Sequence, residues 1–155
     1  TAANLSRLFD GSNVDDLHSH TFGSASILLT NPDIVHTFSV AASGLTGSQI
    51  VYLSGSNSVS LAGSNNMTTA RIIGIASGST SVTYSSGSIA KIYTIYGDIF
   101  NGFSGLMPGN VYYLSSTLGA ITPTPPTGGG KTVVQIGIAK SPTELVFQPL
   151  VIVKM

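Results

Sequence analysis

From residue 24 onward the chain breaks into short runs of β-branched and aromatic residues, nearly all bounded by Gly, Ser, Asn or Pro. The runs lie at 26–29, 34–40, 49–53, 58–61, 70–76, 81–84, 89–96, 111–114, 132–138 and 145–153. Runs this short and this closely punctuated read as strands. No window of about 10–12 residues carries the i, i+3, i+4, i+7 apolar stripe of an amphipathic helix. The expected fold is therefore all-β, a short-stranded barrel or sandwich with little helix.

Three blocks recur in order. Val51-Tyr52-Leu53-Ser54 returns as Tyr112-Tyr113-Leu114-Ser115, an offset of 61 residues from Tyr52 to Tyr113. Ile73-Gly74-Ile75-Ala76 returns as Ile136-Gly137-Ile138-Ala139, an offset of 63 from Gly74 to Gly137, and Val82-Thr83-Tyr84 matches Leu145-Val146-Phe147 at the same offset. The pattern predicts two similar tandem β units, about 47–84 and 109–147, with Gly74 and Gly137 in equivalent strand positions. A glycine inside an apolar strand marks a bulge or a close backbone approach.

Residues 1–22 differ from the rest. Asp10-Gly11-Ser12-Asn13 is turn chemistry, a short helical piece is expected around 13–17, and apolar residues are too few to pack alone. This segment is expected to be an extended N-terminal arm, with residues 23–155 as the β-body. The start Thr1-Ala2-Ala3 suits a chain whose initiator Met has been removed, and the expectation is a cytoplasmically made soluble protein.

Composition narrows the function. Hydrophobic residues make up 42% of the chain and charged residues 8%, with six Lys+Arg against six Asp+Glu and no cysteine. An ordinary domain carries about 25% charged residues. With zero net charge there is no electrostatic grip on nucleic acid, and no apolar run approaches the ~20 residues of a membrane-spanning helix. Neither a nucleic-acid partner nor membrane insertion is expected. Weak repulsion between copies favours self-association.

Few residues are suited to catalysis. No serine sits in a G-x-S-x-G elbow, and Asp15 and Asp16 are adjacent and diverge, so no enzyme is expected. Gly128-Gly129-Gly130-Lys131-Thr132 resembles the end of a phosphate-binding loop, but Pro125 stands where the first glycine belongs and a strand follows instead of a helix. The stretch 122–130, rich in Pro and Gly, reads as an exposed loop. His36 alternates with Phe38 on a strand and reads as a packed or partly exposed residue rather than a ligand. Asn4 and Asn66 head glycosylation-type triplets that matter only in a secreted eukaryotic protein.

His18-Ser19-His20 is the single pair with a specific geometry, because residues i and i+2 of an extended segment point to one side. One chain offers two imidazoles. Three chains around a threefold axis offer six, enough to saturate a first-row metal. The alternative is two solvated histidines with no metal and no other cofactor.

The segment Asp10-Gly11-Ser12-Asn13-Val14-Asp15-Asp16-Leu17-His18-Ser19-His20 resembles a D-G-(S/T)-N-A-D-x-L-H-x-H segment of bacteriophage tail-fibre and other virion proteins, departing from it at Val14. Gly109 to Ser115, Gly119 to Thr122, Pro125-Pro126 and Ile136 to Ala139 are similar to a β-module of phage structural proteins. The resemblance implies a homotrimeric virion component, and it carries axial metal binding only to His18 and His20. Two positions on the particle compete. The short chain and the arm favour a capsid decoration protein that binds the major capsid protein and stabilises the head. The alternative is a short head or tail fibre module that contacts a host surface glycan. A virion-associated hydrolase is a distant third.

Overall fold

The structure, a computed structural model, describes residues 35–154, and for residues 153 and 154 only the backbone. The arm at 1–22, its boundary with the body, the short helical piece at 13–17 and the strand expected at 26–29 lie outside the described residues. Within them the chain is all-β and contains no helix.

The first half forms a closed barrel. Its strands are β1 (Val35–Val40), β3 (Ile50–Gly55), β4 (Ser58–Leu61), β5 (Ile72–Ala76) and β7 (Ile89–Tyr93), in the order β1-β4-β3-β5-β7 with β7 returning to β1. A two-stranded ribbon of β2 (Leu45–Thr46) and β6 (Thr83–Tyr84) lies beside it. Val40, Val51, Val59, Ala90 and Ile92 fill the interior together with Leu45 from the ribbon. The second half is an open sheet of β8 (Ile99–Asn101), β9 (Val111–Leu114), β10 (Ile121–Thr122), β11 (Thr132–Ala139) and β12 (Glu144–Lys154), in the order β10-β9-β11-β12-β8.

The two halves pair in the same register. Val51 faces Gly74 and Ile50 faces Ile75; Tyr112 faces Gly137 and Val111 faces Ile138. In each half one residue, Ile73 or Ile136, is then skipped before Tyr52 meets Ile72 and Tyr113 meets Gln135. The glycines sit beside these bulges because the neighbouring strand comes very close: a Cβ on Gly74 would lie 2.1 Å from the Tyr93 carbonyl oxygen, and one on Gly137 would lie 2.0 Å from that of Val146. Along the outer pairings, Ala76 meets Ile92 as Ala139 meets Leu145, and Ile92 meets His36 as Leu145 meets Phe100. Matched strand by strand, the order β4-β3-β5-β7-β1 is that of β10-β9-β11-β12-β8.

This register corrects the third block of the sequence repeat. Thr83 and Tyr84 pair with Thr46 and Leu45 in the ribbon and do not lie beside β5. The counterpart of Leu145-Val146 is Ile92-Tyr93, since both pairs lie opposite the alanine and isoleucine that follow the bulge. The sequence match joined runs of similar composition whose strand partners differ.

The halves also differ in closure. β1 reaches β4 in parallel, with Ser39 opposite Ser58 and Val40 opposite Val59. β8 stops at Asn101, and beyond it the Gly102 (φ +144°) and Phe103 N–H groups both donate to the Thr143 carbonyl, at 3.2 and 3.3 Å, next to the Asn101–Glu144 pair. β10 is followed at once by Pro123, which has no N–H to extend a ladder. The second sheet therefore stays open between β8 and β10.

Residues 35–154 lie in one compact unit. Its larger core joins the halves, with Ile50, Ala62 and Ile75 packed among Phe100, Leu114, Val134, Ile136, Leu145 and Phe147. The β9–β10 turn locks onto the barrel by backbone bonds: the Ile50 N–H donates to Gly119 O at 3.0 Å and the Gly119 N–H to Ala62 O at 2.7 Å. Ser64 and Thr132 are fully buried at this junction, joined by a 2.8 Å bond from the Thr132 N–H to Ser64 O. Neither side-chain hydroxyl has a hydrogen-bond partner among the described residues. Buried hydroxyls without partners are destabilising, so Thr132→Val is expected to raise stability by about 1 kcal/mol, and Tm by about 3 °C. Scanning calorimetry checks this; a lower Tm would mean that the hydroxyl is bonded after all.

Candidate functional site

Two surface features stand out. The first is the outer face of the second sheet. Cross-strand partners project to the same side, and sides alternate along each strand. Phe100, Leu145 and Ala139 form a buried row, so the adjacent row of Ile99, Val146, Ile138 and Val111 faces outward. Ile138 is 37% exposed and Ile99 45%, and Leu150, at 59%, lies opposite Gln135 further along β12. A solvated face of an antiparallel sheet is normally polar. Here four strands present a continuous aliphatic row, with the Lys140–Glu144 ion pair, 3.3 Å apart, at the sheet's end and Asp98 beside Ile99.

The barrel's exterior is different. Its strands carry exposed Thr37, Ser54 and Lys91, with Ile89, also exposed, on the same side as Lys91.

The second feature is a cleft of about 240 Å³ where β8, β12 and the end of β7 meet. Ile75, Tyr93, Phe100 and Phe147 form its floor, and Ile95, Ile99, Asp98 and Asn101 its walls. Tyr93 and Phe100 pack edge to face with centroids 5.3 Å apart, a favoured aromatic geometry. The turn at Tyr96-Gly97 is pinned to β12 by two backbone bonds, from the Gly97 N–H to Phe147 O at 2.7 Å and from the Phe147 N–H to Asp98 O at 2.8 Å. Gly97 takes φ +85°, a value that side-chain-bearing residues rarely adopt. Tyr96, 69% exposed, stands with its ring 6.0 Å from that of Phe147. Asp98 Oδ1 accepts the Ile99 N–H at 2.8 Å.

A shallower depression of about 400 Å³ lies at the open seam, lined by Ser48, Phe103, Leu106, Met107, Tyr112 and Ile121 among others. Two of its polar groups are engaged: Ser48 Oγ donates to Gly102 O at 2.6 Å, and the Tyr112 hydroxyl accepts the Met107 N–H at 3.0 Å. Ser48 holds φ +65°, and the bond to Gly102 helps fix it there.

The metal candidates His18 and His20 lie outside the described residues. His36 is exposed on β1 opposite Ile92, with Phe38 half-buried two residues on. Among the described residues no group of three or more His, Asp or Glu is placed to hold a metal ion. Lys131 Nζ bonds Asn65 Oδ1, and β11 begins at the next residue. Asn66 Oδ1 accepts the Thr69 N–H at 2.9 Å, stabilising a turn. No helix of the described residues is long and apolar enough to cross a membrane.

Sequence reasoning missed Tyr96, Asp98 and Asn101. It ran one strand through 89–96, whereas β7 ends at Tyr93 and a separate strand begins at Ile99. The signal available was the Gly97-Asp98 pair, ordinary turn chemistry.

No protein-family model, curated protein or solved structure matches the chain.

Proposed function

We propose that the chain is a non-enzymatic structural protein of a bacteriophage particle, assembling as a homotrimer that decorates and stabilises the capsid. The observation that carries this reading is the aliphatic outer face of the second sheet, Val111, Ile138, Val146 and Ile99 in one row with Leu150 beyond. Contiguous apolar surface of this kind marks an association site. A ring of copies, each laying this face against a different patch of the next, is a closed arrangement that leaves no such face exposed. Zero net charge removes the repulsion that would oppose it. The segment Asp10 to His20 and the module-like stretches between Gly109 and Ala139 support placement on a virion.

A decoration protein gains affinity from several weak contacts made together and stabilises the shell it binds. Particles lacking this protein are expected to adsorb normally to cells and to release their genome at lower temperature. The cleft at Asp98 and Asn101 favours the second reading, a fibre module that touches the host surface. Normal heat resistance combined with failed adsorption would select that reading and end the first.

A further inference from the structure

We propose that the cleft at the β8 edge binds one neutral sugar ring, the terminal pyranose of a glycan. The proposal stands on the cleft alone and is independent of where on a particle the protein sits. A pocket of about 240 Å³ falls below the roughly 300–1,000 Å³ typical of sites for drug-sized ligands, so it suits a single small ring.

The lining selects the chemistry. Asp98 is the one ionisable acid or base among the charged residue types lining the cleft, and no Lys, Arg or His joins it. An anion would meet a carboxylate with no compensating cation, which disfavours phosphate or carboxylate ligands. A pyranose offers hydroxyl donors at its rim and an apolar C–H face. Asp98 and Asn101 match the first, and Ile95 and Ile99 match the second, with the Tyr96 ring 6.0 Å from that of the lining residue Phe147. Asp98 Oδ2 and the Asn101 amide have no hydrogen-bond partners among the described residues, while the bond from the Ile99 N–H to Oδ1 holds the carboxylate in one orientation.

The site is also preorganised. The turn that carries Tyr96 and Asp98 is tied to Phe147 by backbone bonds at Gly97 and Asp98, so ligand binding need not order it. Tyrosine gives contact area at low conformational cost, and here Tyr96 is exposed with its ring beside that of Phe147, which lines the cleft. A tyrosine exposed as strongly as this one contributes little to the core, so its replacement should leave the fold intact.

The test titrates the full chain with methyl glycosides of glucose, galactose, mannose and N-acetylglucosamine, following backbone amide shifts by NMR. At least one is expected to bind with Kd on the order of millimolar and to move the amides of residues 95–101. Tyr96→Ala and Asp98→Asn should each weaken it about fivefold or more, the latter while keeping the acceptor for the Ile99 N–H. Glucuronate should bind more weakly than glucose. No shift with any neutral glycoside up to about 50 mM, on the affinity scale of single-ring ligands, would overturn the proposal. So would binding unaffected by either substitution, or methylammonium moving the same amides at lower concentration than every glycoside, which would make this a cation site.

Discussion

Alanine at Gly74 or at Gly137 is expected to cost about 3 kcal/mol of folding stability or more, toward the upper end for overpacking a well-packed core. The obstacle at each is backbone. The added Cβ would lie 2.1 Å from the Tyr93 carbonyl oxygen at Gly74 and 2.0 Å from that of Val146 at Gly137. A side chain in the way can change rotamer, but a carbonyl in a strand ladder moves only if the strands separate. Separation would loosen the β5–β7 or the β11–β12 pairing beside its bulge and open the core around Ile75 or Leu145. Since a domain of this size is stable by roughly 5–15 kcal/mol in all, either substitution removes a large share and the double variant should fold poorly. Gly129→Ala is the control: its Cβ would meet nothing within 4 Å, and its φ lies outside the left-handed region. Urea midpoints for the two single variants equal to that of the control would show that the strands can yield, contrary to this argument.

Ile138→Asp is expected to dissociate the assembled protein without unfolding it, weakening self-association about 100-fold, equivalent to about 2.7 kcal/mol. In a single copy Ile138 is 37% exposed and faces away from the buried Ala139, so a carboxylate there stays hydrated. Against a neighbouring copy the same carboxylate would be desolvated with no cation opposite, at a cost of several kcal/mol. Leu150→Asp should act in the same direction, since Leu150 is 59% exposed and continues the apolar surface along β12. Sedimentation equilibrium of the full chain should show trimers for the unaltered protein at micromolar concentration and monomers for Ile138→Asp, with the same circular dichroism. A monomeric unaltered protein would remove the support for the assembly reading, whatever the variant does.

Much of the architecture was legible because the deciding interactions are local. Alternation in Val111-Tyr112-Tyr113-Leu114, the β-branched run Ile72 to Ala76 and the Pro-Gly loop after Thr122 each state their own conformation within a few residues. The all-β class follows from such runs, and the glycines at 74 and 137 marked the close approaches that the structure contains. The candidate cleft was not legible, because Asp98 and Asn101 come to line one cleft only after β7 ends, β8 begins and Phe147 of β12 takes hold of the turn between them.

Which strand a run pairs with is a long-range matter that a short run does not encode. Thr83-Tyr84 resembles Val146-Phe147 in residue type, yet one lies in the ribbon against Leu45 and Thr46 and the other beside β11. Closure was likewise decided in three dimensions. Two stretches with the same strand order ended as a closed barrel and an open sheet, because six-residue β1 reaches β4 while three-residue β8 ends at Asn101 and two-residue β10 at Thr122. Local sequence thus determined the strands, the turns between many of them and the two glycine-marked bulges, all set by backbone sterics and side-chain alternation. The tertiary structure alone decided the partners, the open edge and the aliphatic outer face, because these depend on which strands compete for the same ladder bonds and which surfaces remain when the core is filled.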